Sequence, residues 1–315
     1  MIYPYYIIKV INVQLIRKYY TSRYECNRIG CFDRALVKQL NTLGIDTVFH
    51  LPLGVDWNKG PEEDGIYSCD ISFVGSLYTG EYNYFDEISD DSPVKKRATE
   101  FIEKQCFEYV NDYMCSFFRD ERGGLNIDLI DAARDILTDQ MLLPGDEYIE
   151  DIEYIFVSHF LEKKVTVEER KCLLGEIAGL GCDFRLYTAS DISKVPELKR
   201  AYRGYVEYDK IMPLVFKQSR INLNMTLRSI HSGIPLRALD IMGCGGFLLS
   251  NYQEELDEYF VEDKEIVIYR SLDDCIDKVR YYLSHEDERK QIAEAGCKAV
   301  KDRFDYGKQL EKLLQ

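Results

Sequence analysis

The sequence predicts an α/β protein built on a doubly wound parallel sheet, and three observations carry the prediction. Strand-like and helix-like segments alternate from Thr166 to the C-terminus. Some strands are continuous apolar runs, such as Phe247-Leu248-Leu249, as expected of parallel strands buried on both faces. The stretch Arg220–Asn251 reads as strand, loop, helix, strand. That places a loop and a helix N-terminus at the carboxyl edge of a sheet, where such folds hold ligands.

The elements follow in order. Tyr3, Tyr5, Tyr6, Ile7 and Ile8 read as one buried strand, and Arg17–Tyr20 as a loop or helix end. Cys31-Phe32-Asp33 precedes an amphipathic helix over Arg34–Leu43, with Leu36, Val37, Leu40 and Leu43 on one side and Gly44 ending it. Thr47–Leu53 is a strand. Asp70–Val74 is a strand running into the Gly75-Ser76 turn, a common place to receive a phosphate. From about 82 to 162 the pattern is helical. One helix carries Phe101, Ile102, Phe107, Tyr109, Val110 and Tyr113. Another carries Ile127, Leu129, Ile130, Ile136 and Leu137, and a third runs over Tyr148–Leu161 after Pro144-Gly145.

Thr166-x-x-Glu169 has the form of a capping box opening a helix that carries Leu173, Leu174 and Ile177 inward and closes at Gly179 and Gly181. Strand Asp183–Tyr187 and a short helix over Asp209–Gln218 lead to strand Arg220–Met225. A helix with Pro235 at its first position stops at Gly243. Strand Glu265–Tyr269 and helix Leu272–Leu283, capped by Ser271, come next. A helix capped by Ser284 and a final one over Tyr306–Leu314 close the chain.

Composition bounds the function. A chain of 315 residues predicts about two domains. The net charge of −15, from 55 acidic and 40 basic residues, argues against nucleic acid as a partner while leaving room for one anionic small ligand. The ten cysteines form no C-x-x-C pair and only four histidines are present, which predicts buried free thiols in a reducing cytoplasm, with no metal site and no disulfide framework. No apolar run approaches the ~20 residues of a membrane span, and no signal peptide is evident.

The chemistry concentrates in the loop Leu227–Pro235. Arg228, Ser229, His231, Ser232 and Gly233 precede a helix N-terminus, with Arg237 in its first turn, a set suited to a diphosphate. An arginine beside a helix N-terminus is unfavourable without an anion, which tilts the balance toward function over a plain capped helix. Asp240, inside an apolar helix, fits a ribose-diol acceptor or a solvent-facing acid. Asn222 and Asn224 share one strand face, toward a ligand or toward neighbouring loops. His231 reads as a loop surface histidine, and Glu254-Glu255 as surface charge at a helix start.

The run INLNMTLRSIHSGIPLRALDIMGCGGFLLSNYQEEL resembles the core signature of the CgeB-like spore-maturation family of glycosyltransferases. HLPLGVD, DISFVGSLY, SLDDCIDKVRYYLSHEDERKQIAEAG and KDRFDYGKQLEKLL resemble its other landmarks, in the expected order. The resemblance implies the GT-B architecture, two Rossmann-like domains facing across a cleft. Residues 1–55 are then the remnant of the acceptor-side domain, since only its last stretch is present. Residues 56–303 are the nucleotide-sugar domain with its insertion. Residues 304–315 are a helix crossing back to the N-terminal part, with Arg34–Leu43 as its expected seat. The resemblance also implies a donor site in which Gly75 and Ser76 approach the phosphates and Tyr187, Tyr205 and Val206 lie near the base. Ser232, Gly233 and Ile234 meet the diphosphate or sugar, Arg237 flanks it with Arg228 and Asn224 nearby, and Asp240 holds the ribose. Where related retaining enzymes carry E-x7-E, this chain has Ser232 and Asp240, so a retaining mechanism of that kind does not carry over.

The expected function is transfer of a sugar from a nucleoside diphosphate to an unknown acceptor (glycan, protein or small molecule), with no cofactor and no metal. The alternatives are a non-catalytic nucleotide-sugar-binding or assembly protein, and an α/β protein binding another phosphorylated ligand.

Overall fold

The computed structural model describes residues 6–8, 28–56, 68–80, 84–139 and 149–314. Two parallel sheets organise it. The smaller has three strands, β1 (Tyr6–Ile8), β2 (Arg28–Cys31) and β3 (Val48–His50), in the order β1-β2-β3. Helix α1 (Arg34–Thr42) joins β2 to β3. Asp33 caps its N-terminus by accepting from the Leu36 N–H, and Gly44, at φ +75°, supplies the left-handed turn beyond its end. Val37 and Leu40 of α1 pack on Ile29 and Val48. Tyr3, Tyr5, Arg17–Tyr20 and Pro144-Gly145 lie outside the described residues.

The larger sheet has five parallel strands: β4 (Cys69–Val74), β5 (Phe184–Tyr187), β6 (Ser219–Asn224), β7 (Leu248–Asn251) and β8 (Val267–Tyr269). Their order, β5-β4-β6-β7-β8, reverses between β4 and β6, so the ligand crevice of a doubly wound sheet falls between the carboxyl ends of those two strands. Both faces are covered. Ile71, Phe73, Ile221, Leu223 and Leu249 form one core, and Val74, Leu248, Ile266 and Ile268 contribute to the other. The alternation of side chains along each strand sends neighbours to opposite cores, which is why the strands read as continuous apolar runs.

The β4-to-β5 crossover carries the helical insertion: α2 (Pro93–Gln105), α3 (Ile127–Asp139) and α4 (Ile149–Phe156). A π-helical turn, Val157–Leu161, then leads without interruption into α5 (Glu162–Gly179). Four sequence expectations fail here and at the next helices. The helix bearing Phe101 stops at Gln105, and Phe107 takes φ +60°, so Tyr109–Tyr113 are not helical. Thr166 does not cap a helix start. It sits inside a continuous helix and donates its hydroxyl to the Glu162 carbonyl, 2.9 Å away. The reason is apolar continuity: Phe156, Phe160 and Val165 fill the insertion core, while Leu173, Leu174 and Ile177 fill the core under the sheet, so one rod serves both.

The remaining helices are α6 (Met212–Gln218), α7 (Leu236–Gly243), α8 (Glu254–Tyr259), α9 (Leu272–Ser284), α10 (Glu286–Arg303) and α11 (Tyr306–Leu314). Pro235 is the extended N-cap of α7 rather than its first helical residue. Ser271 caps α9 as expected, but Ser284 ends that helix, and α10 follows His285 with no side-chain cap. The start of α11 is seated on the chain at Gly54–Val55: the Tyr306 N–H donates to the Val55 carbonyl, and the Val55 N–H to that of Phe304. A Cβ on Gly54 would lie 2.8 Å from the Tyr306 Cα, so glycine permits this approach.

Candidate functional site

At the switch point the Gly75 N–H donates to the Tyr187 carbonyl at 3.0 Å. The Ser76 hydroxyl lies 3.1 Å from that of Ser190 and accepts from the Tyr78 N–H at 3.0 Å. Behind this turn lies Arg170 of α5, which the sequence does not single out. Its guanidinium is buried and donates to the Ser76 and Met225 carbonyls, tying the ends of β4 and β6 together. Burial lowers its pKa, and its Nε has no hydrogen-bond partner among the described residues. The crevice is therefore backed by a buried positive charge.

Asn224, at the end of β6, is buried and spends its amide on the Thr226 hydroxyl (3.2 Å) and the Ser250 hydroxyl (2.9 Å). Asn222 likewise bonds the Phe216 carbonyl and accepts from Ser72. Both asparagines stitch the sheet to its neighbours.

Arg228 is likewise turned inward. Its guanidinium pairs with buried Glu169, its Nη1 donates to the Glu108 carbonyl at 2.9 Å, and it lies 4.0 Å from the centre of the Tyr109 ring. Burial opposes its charge, but Glu169 outweighs burial and raises its pKa. Its donors point into the protein.

Ser232 and Gly233 abut the small sheet. The Asp33 carboxylate accepts from the His231 N–H (2.7 Å), the Ser232 N–H (3.3 Å) and the Ser232 hydroxyl (3.0 Å). Glu255 lies 2.8 Å from the same hydroxyl and shares its single proton with Asp33; it also accepts from the Arg34 N–H at 3.0 Å and bonds His50 Nε2 at 2.8 Å. A Cβ on Gly233 would lie 2.8 Å from the Phe32 carbonyl oxygen. The loop predicted to cradle a diphosphate thus cradles a carboxylate of the chain itself. Glu255, expected at the surface, is fully buried. Burial pushes its carboxyl up, but the bonds from His50, the Arg34 amide and Ser232 hold it below its ordinary value. Two acids from other segments, Asp33 and Glu255, lie at the Ser232 hydroxyl. Ile234 turns into the core beside Ala238 and Leu239, and offers a ligand no side chain.

Asp240 and Arg237 face elsewhere. Asp240 Oδ1 accepts from the Tyr208 hydroxyl at 2.9 Å, and Arg237 lies 3.6 Å from Oδ2. Burial and then Asp240 raise the Tyr208 pKa, and burial lowers that of Arg237. Asp240 and Tyr208 line a cavity of about 350 Å³ with Met212, Phe216 and Leu236, closed on one side by Gly54 and Val55. A carboxylate and a phenol on an apolar wall are what a nucleoside requires: acceptors for a diol and a surface for a base. Val206 is buried nearby in the same core, whereas Tyr205 is 70 % exposed.

The structure therefore divides the expected site among three places. Gly75, Ser76 and Tyr187 share the crevice; Ser232 and Gly233 lie against Asp33; Asp240 lines the cavity, with Arg237 beside Asp240. Asp33, Glu255, His50 and Arg170 are polar members that the sequence pattern does not reveal, because the partners that give them meaning are remote in the chain. Arg170 reaches Ser76 across 94 residues, Asp33 reaches His231 across 198, and His50 reaches Glu255 across 205. No group of three or more potential metal ligands occurs among the described residues. No helix among them is long and apolar enough to cross a membrane.

These features define a doubly wound α/β protein with its polar machinery at the carboxyl edge of the larger sheet. Within that class, residues 170–315 match the family model described as glycosyl transferase-like, a span that includes β5–β8, the 227–235 loop and Asp240. No curated protein is similar enough to match the chain. Among solved structures, it resembles TarM (11% identity, TM-score 0.47, 91% of this chain and 42% of that one). It also resembles sucrose-phosphate synthase from Thermosynechococcus elongatus (8%, 0.49, 91% and 56%). A glycosyltransferase from Rickettsia africae matches at 13% identity and TM-score 0.45, over 95% and 65%. The chain spans between 42% and 65% of the length of these structures.

Proposed function

We propose that the chain binds a nucleoside-diphosphate sugar and belongs to the machinery that transfers the sugar to an acceptor. The observation that carries this reading is the glycosyl transferase-like match over residues 170–315, the segment holding most of the switch-point crevice and the Asp240 cavity. The nucleoside occupies the cavity, with Asp240 accepting from the ribose hydroxyls and Tyr208 held beside it. The diphosphate lies toward Gly75-Ser76 and the N-terminus of α7. There the helix dipole contributes about 0.3–1 kcal/mol, and the buried charge of Arg170 adds to the anion preference. Leaving-group stabilisation of this kind requires no resident cofactor. The finer assignment, to CgeB-like proteins and spore maturation, rests on the motif resemblance, and a cytoplasmic site of action on the free-thiol composition.

Calorimetric titration with UDP, GDP, ADP and dTDP tests the reading. One nucleotide is expected to bind; binding by none would overturn it. Asp240→Ala is expected to weaken the bound nucleotide about 10-fold or more through lost charged hydrogen bonds. Arg237→Ala is expected to weaken it by a similar factor through the diphosphate. Unchanged affinity in both variants would remove the cavity from the site.

A further inference from the structure

A second cavity, of about 340 Å³, lies between the helical insertion, α1 and the 227–235 loop. Glu162 lines it, directly after the π-helical turn that leads into α5. Glu162 is 4 % exposed. Its Oε1 lies 2.8 Å from His231 Nε2, and its Oε2 has no hydrogen-bond partner among the described residues. A buried carboxylate oxygen without a donor costs stability, and a ligand bringing a donor removes that cost.

The surroundings narrow the donor's chemistry. His231 already balances the charge of Glu162, so the missing donor need not be a cation. Arg119, the other described cation of the lining, pairs with Glu153 at 2.5 Å, which leaves no unpaired positive group for a phosphate. The Asp112 carboxylate stands at the same wall and accepts from the Met114 N–H. Phe118 and Tyr154 supply apolar surface. Carboxylate acceptors set among apolar rings, with each cation neutralised, suit a neutral molecule that has hydroxyl donors on an apolar frame.

We propose that this cavity binds a carbohydrate, with the Glu162 carboxylate accepting from a ligand hydroxyl and His231 holding that carboxylate in place. His231 adjoins Ser232, so the bound sugar lies beside the loop that borders the donor site. Its role as the acceptor rests on the glycosyltransferase reading; its binding does not.

Saturation-transfer NMR on the full chain, with the methyl glycosides of glucose, galactose, mannose and N-acetylglucosamine as probes, tests the site. At least one glycoside is expected to receive saturation. Glu162→Gln is expected to weaken it about tenfold or more, the loss of a hydrogen bond to a charged group. Cys115→Trp, at an exposed position of the cavity wall outside the core, is expected to abolish the signal by filling the space. Thermal melts establish that both variants fold. No transfer to any of the four glycosides, or wild-type transfer in both folded variants, overturns the proposal. UDP titration run in parallel separates the two readings. Glycoside binding without nucleotide binding leaves this site standing and removes the donor reading; the converse result does the reverse.

Discussion

Two residues show how far a local reading of charge departs from its tertiary meaning. Arg228 sits in a loop before a helix N-terminus, where an anion ligand is the natural expectation. Its partner, Glu169, lies 59 residues away and reads locally as half of a helix cap. Both side chains are largely buried, so removing one charge strands the other. Glu169→Gln is expected to cost about 3–5 kcal/mol, read as a lower urea midpoint with an unchanged slope. His231 is the converse case: it is exposed, as expected of a loop histidine, and yet pairs with buried Glu162. Glu162, then burial acting the other way, with Asp33 and Asp112 assisting, pushes its pKa up to about 10. The folded state therefore holds its proton more tightly than the unfolded chain. The stabilisation is full below about pH 6.5, declines above it and is gone above the folded value. The melting temperature of wild type is expected to exceed that of His231→Gln by most in mildly acidic buffer, and the gap to close as pH rises through about 10. A gap independent of pH would show that the pair does not titrate this way.

Elements are set by how closely their backbones must approach, and glycines mark the places. Gly296 in α10 faces the backbone at Glu265, just before β8, and an added Cβ would collide with the Glu265 carbonyl oxygen and lie 3.0 Å from Met242. Gly296→Ala is expected to destabilise by about 1–3 kcal/mol, since backbone rather than a flexible side chain must yield. Gly179, the last residue of α5, has no positive φ, and a methyl group added there would meet nothing within 4 Å. Gly179→Ala is expected to be neutral or to stabilise by about 0.4–1 kcal/mol. Denaturant titration of the two variants checks the contrast, and equal effects would contradict it. This scale is also where the sequence is most legible. Apolar period and glycine stops locate the core strands and the helices Arg34–Thr42, Leu236–Gly243, Leu272–Ser284 and Tyr306–Leu314 to within a few residues. Thr166-x-x-Glu169 misleads because a capping box describes only the donors of a first turn. It cannot register that Phe156, Phe160 and Val165 already carry the helix through that point. Ser284 misleads for the same reason, as its hydroxyl bonds back to the Tyr281 carbonyl within α9. Asp240 is legible as a carboxylate on an apolar helix, but Asp33 and Glu255 are not, because their significance depends on a contact between two sheets.

At the scale of the molecule that contact is the central fact. The three-stranded sheet reaches the larger one through Asp33 on the His231 and Ser232 amides, Glu255 on the Arg34 amide and His50, and the exposed Arg34–Glu258 pair. The first two groups are buried, so they hold the junction; the last is exposed and contributes about 0–1 kcal/mol. The Asp33 carboxylate also caps α1, so the same oxygens that end one helix occupy the anion-binding amides beside another. A diphosphate directed to those amides by the donor reading must compete with a negative charge already there. Asp33→Asn keeps the shape and, through its one remaining oxygen, the cap, while removing that charge and the acceptor of the His231 N–H. Nucleotide affinity is expected to rise by about 5- to 30-fold, the equivalent of about 1–2 kcal/mol, with a larger gain at low ionic strength than at high. Affinity lower than wild type in a folded Asp33→Asn variant would mean that the carboxylate supports the ligand rather than standing in its place, and the phosphates would then have to be moved from the 231–232 loop to the Gly75-Ser76 turn alone.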